Sequence, residues 1–137
     1  MRNKILICSL LIGCTTPEPD CALSQQSQTG LYSMFLTEES GDCGALGHAE
    51  VEVGNGIPLL GASQCIVSEG EWTQAACNTR SVVDCDDGIW VLHLEWNVHS
   101  VDASSETLAG TLSTEMDKWD GIYTCTGDYS FKANIIK

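Results

Sequence analysis

The segment from Ile89 to Val101 alternates apolar and polar residues along its whole length. In an extended chain, one face carries Trp90, Leu92, Leu94, Trp96 and Val98, and the other carries Val91, His93, Glu95, Asn97 and His99. Successive side chains of a strand point to opposite sides, whereas the apolar period of a helix is about 3.6 residues. The segment therefore predicts a β-strand with one buried face and one face toward solvent.

Shorter runs with the same period of two occur on both sides of this strand. Ala49 to Val53 alternates valine with glutamate, and Leu31 to Leu36 alternates with fairly apolar residues on both faces. Near the end of the chain, one parity is shared by Tyr123, Cys125, Tyr129, Phe131, Ala133 and Ile135. These runs predict further strands that face one common core.

Turn residues separate the runs at intervals of about ten residues. They are Gly54-Asn55-Gly56, Asp86-Asp87-Gly88 and Trp119-Asp120-Gly121. Asp, Asn and Gly tolerate the positive φ of tight hairpins. The segment from Glu69 to Arg80 is weaker as a strand and could hold one helical turn. The pattern predicts an all-β fold, an antiparallel up-and-down barrel or sandwich of six to eight strands.

The N-terminus has the order of an export signal. Arg2 and Lys4 precede a short apolar run, which at about 14 Å of helix is too short for a hydrocarbon core of about 30 Å. Leu11-Ile12-Gly13-Cys14 then resembles the lipobox of bacterial lipoproteins. The resemblance implies that residues 1–13 are a signal peptide and that Cys14 receives the lipid. Thr15, which is not Asp, favours by that family's habit the outer membrane, on its periplasmic or surface face.

Two other interpretations of the N-terminus stay open. It could be an ordinary secretory signal, or a buried first strand with Cys14 in a disulfide. In the lipoprotein interpretation, residues 14–29 are the lipidated Cys and a flexible Pro-, Ser- and Gln-rich tether, and residues 30–137 are a single domain. If Cys21 is bonded, the free tether is limited to residues 15–20.

The cysteine count agrees with export. Of 8 cysteines, processing removes Cys8 and lipidation uses Cys14. The six that remain are Cys21, Cys43, Cys65, Cys77, Cys85 and Cys125. An even number in a small exported domain predicts disulfides, although six cysteines allow 15 pairings.

The charge excludes some classes of partner. The chain has 19 acidic and 6 basic residues, a net charge of −13. Nucleic-acid binders neutralise phosphates with Lys and Arg, so no nucleic-acid partner is expected. Adsorption to anionic lipid headgroups is disfavoured for the same reason. The charge suits a cationic protein or small-molecule partner.

Metal and catalytic motifs are weak in this sequence. Asp84 to Gly88 lacks the ligand spacing of a calcium-binding EF-hand loop. His93 and Glu95 share one strand face and could supply two zinc ligands, but no residue marks a third. No Gly-x-Ser-x-Gly motif is present, and an even set of oxidised cysteines leaves no thiolate nucleophile. We therefore predict no catalytic residues, no metal and no cofactor.

Gly30-Leu31-Tyr32 resembles, with Tyr in place of Trp, the Gly-x-Trp opening of lipocalins. The resemblance implies an eight-stranded barrel that holds an apolar ligand, with Lys132 nearest to the late Arg that stacks on that Trp. Residues that could line such a cavity, or simply form a core, are Trp90, Trp96, Tyr123, Tyr129 and Phe131.

The sequence thus predicts a membrane-anchored binding or structural module of the cell envelope, without catalysis. The alternatives are a lipocalin-like carrier, a small secreted hydrolase or a protease inhibitor. A carrier requires an internal cavity, whereas a surface-binding module requires a filled core and an outer site.

Overall fold

The computed structural model describes residues 21–59, 64–86, 88–101, 104–118 and 121–137. The predicted signal peptide, Cys14 and residues 15–20 of the predicted tether lie outside the described residues. So do Asp87, Trp119 and Asp120 of the predicted turns.

Eight antiparallel strands form one sheet in this part of the chain. They are β1 Gly30–Gly41, β2 Gly47–Gly54, β3 Ile57–Leu59, β4 Gln64–Thr73, β5 Asn78–Asp86, β6 Trp90–Ser100, β7 Thr107–Lys118 and β8 Thr124–Ile135. Their order is β3-β2-β1-β8-β7-β6-β5-β4, so the sheet closes through β1 and β8 and ends at β3 and β4. The all-β prediction is confirmed, and the architecture is a nearly closed up-and-down barrel.

Helical structure in the described residues is limited to two 3-10 turns. They are Gln25–Ser27 and Gln74–Ala76, and the second lies in the segment where the sequence allows one helical turn. Within these residues, no helix has the length and apolar character needed to cross a membrane.

The strand parity predicted from the sequence decides which side chains enter the barrel. On β6, the inward residues Leu94, Trp96 and Val98 are fully buried. The Trp96 ring meets the Phe131 ring edge to face, with centroids 5.6 Å apart. On β1, where both faces are apolar, Tyr32 points inward and is buried. Alternation fixed the faces because successive side chains of a strand must point oppositely.

The turn after β2 shows why its residues are Asn and Gly. Asn55 and Gly56 have φ values of 51° and 77°, which are the positive values of a type I′ hairpin turn. This turn joins β2 to β3, as Gly54-Asn55-Gly56 predicts.

The six cysteines that remain after the predicted processing form three disulfides. The pairs are Cys21–Cys77, Cys43–Cys125 and Cys65–Cys85. The first connects the N-terminal segment to the turn between β4 and β5, and the last connects those two strands directly. The N-terminal residues described here are therefore attached to the barrel.

Gln28, in the segment assigned to the flexible tether, is fully buried at one end of the barrel. Its Nε2 donates to the carbonyl of Cys77 and to Ser100 Oγ, both at 2.9 Å. Its Oε1 accepts from Thr79 Oγ1 at 2.8 Å. The buried Gln28 lies two residues before the predicted start of the domain at residue 30, inside the segment predicted as a tether.

We expect Gln28→Leu to lower the free energy of unfolding by about 2 kcal/mol, since it leaves the buried Thr79 hydroxyl without its acceptor and removes one of the two N–H donors to the Cys77 carbonyl. Urea unfolding of the oxidised protein measures the change. The double variant Gln28→Leu/Thr79→Val removes the orphaned hydroxyl, so it should be more stable than Gln28→Leu alone. If it is less stable, the hydrogen bonds do not explain the burial of Gln28.

Candidate functional site

The outer wall of the barrel carries a groove of about 720 Å³ across β1, β8, β7 and β6. Small-molecule sites commonly have volumes of about 300–1,000 Å³. Most of the groove is built from two neighbouring rungs of outward-facing side chains, each rung contributed by all four strands.

Strand register defines the first rung. Phe35 on β1 is opposite Lys132 on β8, Lys132 is opposite Ala109 on β7, and Ala109 is opposite His99 on β6. Phe35 is 59% exposed although it is a large apolar residue. Residues directly opposite each other have Cβ atoms about 5 Å apart, so the four side chains form one continuous row.

The second rung is neutral and hydrogen-bonding. It consists of Thr37, Ser130, Thr111 and Asn97, in the same strand order as the first. Hydroxyl groups both donate and accept, and an amide does both through different atoms. This rung therefore offers polar contacts beside the aromatic ring of Phe35.

The groove is concave because its middle has short side chains. Ala109 and Thr111 lie on either side of Gly110 along β7, with Phe35 at one margin of the groove. A Cβ at Gly110 would lie 2.8 Å from the carbonyl carbon of Asn97 and closer still to its oxygen. The same Cβ would lie 3.1 Å from Phe131 Cε1, so the aromatic ring covers the glycine. Only glycine allows this close approach of β7 and β6.

Acidic residues begin beyond the second rung. A smaller depression of about 300 Å³ shares Asn97 and Thr111 with the groove and is also lined by Glu39, Glu95 and Asp128. Ser130 Oγ donates to Glu39 Oε2 at 2.6 Å, and Ser40 Oγ donates to Asp128 Oδ2 at 3.0 Å. The charge of the outer wall therefore changes along the strands. The first rung contains Lys132, the second is neutral, and acidic residues follow it.

The five aromatic residues proposed as ligand-facing do not line one cavity. Trp96, Tyr129 and Phe131 are buried in the core. Trp90 is half-buried. Its ring meets that of Tyr123, the residue before β8, edge to face with centroids 5.4 Å apart. Tyr123 is 45% exposed, which corrects its assignment to the inner face. Of the five, Phe131 alone also borders the outer groove, which its ring reaches beside Gly110.

Sequence reasoning missed the groove because its residues come from four strands. Ala109 and Thr111 carry no chemical signature, and the lipocalin resemblance predicts only a stacking role for Lys132. The exposed Phe35 was the available signal, since a large apolar residue on a solvent-facing parity is a local exception to the pattern.

His93 contacts carboxylates through both ring nitrogens. Its Nδ1 lies 2.6 Å from Asp84 Oδ1, and its Nε2 lies 3.3 Å from Glu95 Oε2. The hydrogen bond to Asp84 raises the pKa of His93 above 6.5; partial burial opposes this, and Glu95 adds to it. This arrangement suits a protonated imidazolium, whereas a zinc ligand needs a free ring nitrogen.

One further group of ligand atoms lies close together in the described residues. It contains Asp42, Cys43 and Cys125. The two sulfur atoms form a disulfide, and the Asp42 carboxylate accepts from the backbone N–H of Thr126 at 2.9 Å. A cysteine binds a metal as a thiolate, so two disulfide-bonded cysteines and one carboxylate do not form a metal site.

We expect the pKa of His93 to lie above 6.5 and Asp84→Asn to lower it, because the Asp84 hydrogen bond is the largest cause of the shift. NMR titration of the ring protons measures both. Because the folded-state pKa is raised, the protonated ring stabilises the fold below pH of about 6.5, and this contribution is lost as the pH rises through the folded value. Glu50→Gln is the control for a change in net charge. An equal decrease in both variants would contradict a local cause.

Ser33 and His48 form another pair on the outer wall, with Ser33 Oγ 2.6 Å from His48 Nε2. Hydrolysis by such a pair needs a third group that orients the imidazole. Across the described ranges, no carboxylate hydrogen-bonds to the other ring nitrogen of His48. The pair therefore has a nucleophile and a base without the orienting group.

The residues that resemble the lipocalin opening are not arranged as the resemblance implies. Tyr32 lies inside the barrel and donates from its hydroxyl to the carbonyl of Ser105 at 2.7 Å. Lys132 is on the outer wall, so it does not stack on Tyr32. No known protein family, curated protein or solved structure matches the chain.

Proposed function

We propose that this chain is a lipid-anchored module of the cell envelope that binds a ligand in the outer groove of a filled barrel, without catalysis. The lipobox-like Leu11-Ile12-Gly13-Cys14 supports the anchor. Three disulfides support an oxidising compartment, since such bonds persist outside the reducing cytosol.

The observation that carries this proposal is the groove outside a packed interior. The largest fully buried side chains include Trp96, Tyr32, Tyr129 and Met34, which occupy the volume that a carrier would use for its ligand. Barrels of eight strands can be filled by side chains alone. The concave, partly apolar surface available to a ligand is then on the outer wall.

A lipocalin-like carrier is the second candidate, and one observation favours it. Within the described residues, the buried indole Nε1 of Trp96 has no hydrogen-bond partner, and neither do Ser81 Oγ and Thr114 Oγ1. Buried polar groups are usually paired. An internal ligand with a polar group would satisfy such atoms.

The anchor would hold the barrel near its membrane. Seven residue steps separate Cys14 from Cys21, a reach of at most about 25 Å. The Cys21–Cys77 disulfide joins that segment to the barrel, so the tether would keep this end of the barrel within that reach of the lipidated Cys14. Net negative charge keeps the domain from adsorbing to anionic headgroups.

The anchor is tested by the intact mass of the protein from its native membrane fraction, without reductant, before and after alkylation. We expect cleavage before Cys14, added acyl chains and no thiol that can be alkylated. An unlipidated mass, or two or more free thiols, would contradict this part of the proposal.

The binding site is tested by NMR on the mature chain from residue 14, oxidised and carrying Cys14→Ser. The probes are 4-phenylbutyrate, 4-phenylbutanol and 4-phenylbutylammonium, which share one apolar body. We expect at least one to shift the amides of Ala109 and Thr111 saturably. Ala109→Leu should weaken binding by filling the groove, whereas Ser113→Leu, on the same strand outside the groove, should not. Saturable shifts of the Trp96 indole without shifts at Ala109 and Thr111, or no saturable shifts at all, would contradict groove binding.

A further inference from the structure

We propose that the groove binds a small amphipathic anion, whose carboxylate or similar head contacts Lys132 and whose apolar body contacts Phe35 and Ala109. This inference rests on the proposed function, because it names the ligand class of the same groove. It differs from the expectation drawn from the whole-chain charge, which favours a cationic partner, since the local charge of the groove is opposite.

The two rungs that form the groove carry no carboxylate. From β1 to β6 the first rung is Phe35, Lys132, Ala109 and His99, and the second is Thr37, Ser130, Thr111 and Asn97. The first rung continues onto β2, where His48 is opposite Phe35. The chain has 19 acidic residues against 6 basic ones, so two adjacent rungs that contain a lysine and no acidic residue are a specific local feature. One carboxylate reaches the margin of the second rung, where Glu39 accepts from Ser130 Oγ at 2.6 Å.

In the part of the chain that the structure describes, Lys132 differs from Arg80 and Lys137, which form ion pairs. Arg80 binds Glu69 at 2.9 Å and Lys137 binds Glu106 at 2.8 Å. Within the described ranges, Lys132 forms no ion pair with Asp or Glu, and it lies directly opposite the exposed ring of Phe35. An ammonium group beside an apolar surface is complementary to an anion that carries an apolar body.

The acidic depression beside the groove favours one orientation of the ligand, with its anionic head away from the carboxylates. Asp128 is four residues from Lys132 on β8, about 14 Å along the strand. Glu39 accepts from Ser130, and Glu95 faces His93 and, at 4.0 Å, Arg80. These carboxylates repel an anionic head toward Lys132. Remote carboxylates are screened over about 8 Å at physiological salt, so the contact with Lys132 decides the preference there.

The test compares the dissociation constants of the three probes at physiological salt. We expect 4-phenylbutyrate to bind about fivefold more tightly than 4-phenylbutanol, and 4-phenylbutylammonium to bind most weakly. Lys132→Gln should remove the preference for the anion and leave binding of the alcohol unchanged. Lys137→Gln removes an equal charge outside the groove and should leave the order of the probes unchanged. Both substituted side chains are exposed, and urea midpoints check that the fold is retained.

The outcomes separate this inference from the proposed function. If the alcohol or the ammonium probe binds in the groove as tightly as the anion, the ligand class is wrong and the groove remains a binding site. If no probe shifts the groove, the proposed function fails first. Binding of the unlipidated chain to phosphatidylglycerol vesicles that is lost in Lys132→Gln would assign the groove to a lipid headgroup, which overturns a free small molecule as its ligand.

Discussion

Replacement of Gly110 by Ala is expected to destabilise the barrel by about 3 kcal/mol. The added Cβ would lie 2.8 Å from the carbonyl carbon of Asn97 and 3.1 Å from the Phe131 ring. The first of these groups is backbone, so relief requires β7 and β6 to move apart. A shift of the thermal midpoint by about 12 °C corresponds to this loss for a domain of this size.

Gly54→Ala is the matched control for this prediction. Gly54 also lies in a strand, and a Cβ there would have no neighbouring atom within 4 Å. Its substitution should leave the thermal midpoint nearly unchanged. A similar loss in both variants would mean that glycine is required for strand conformation in general, and that the contact between β7 and β6 is not the cause. Weaker probe binding by Gly110→Ala is also expected, because Gly110 lines the groove.

Removal of the Cys43–Cys125 disulfide is expected to cost about 4–5 kcal/mol, against about 3 kcal/mol for Cys65–Cys85. The first bond joins residues 82 apart and the second joins residues 20 apart. A disulfide restricts the unfolded chain more strongly when it closes a longer loop. Urea unfolding of Cys43→Ala/Cys125→Ala and Cys65→Ala/Cys85→Ala, each without reductant, measures the two costs.

These two variants are matched in the side chains that they truncate. Each pair has one buried sulfur, on Cys125 or Cys85, and one half-buried partner. Loss of packing is therefore similar, and the difference reports loop length. If removal of Cys65–Cys85 costs as much or more, native-state contacts between β4 and β5 outweigh the restriction of the unfolded chain.

The groove and the stability of the barrel share one residue, Gly110. Gly110 brings two strands together and also leaves the groove floor open. Lys132 and Phe35, by contrast, are exposed and can be replaced at little cost in stability. This separation allows ligand binding to be tested without unfolding the protein.

The buried Gln28 shows where sequence reasoning stopped. Its surroundings are Pro-, Ser- and Gln-rich, a composition that predicts a flexible tether. Its partners Cys77, Thr79 and Ser100 are 49, 51 and 72 residues away along the chain. No local pattern reports hydrogen bonds over such separations, so a composition rule could not find this burial.

The sequence by itself determined the fold class and the inner and outer faces of the main strands, because alternation is a local property of an extended chain. It also indicated the hairpin turns through Asn and Gly residues that accept positive φ. Only the tertiary structure decided the disulfide pairs and the register that places Phe35 opposite Lys132 and Ala109 opposite His99. Register depends on contacts between distant segments, which is why the groove appears only when β1 closes the barrel against β8.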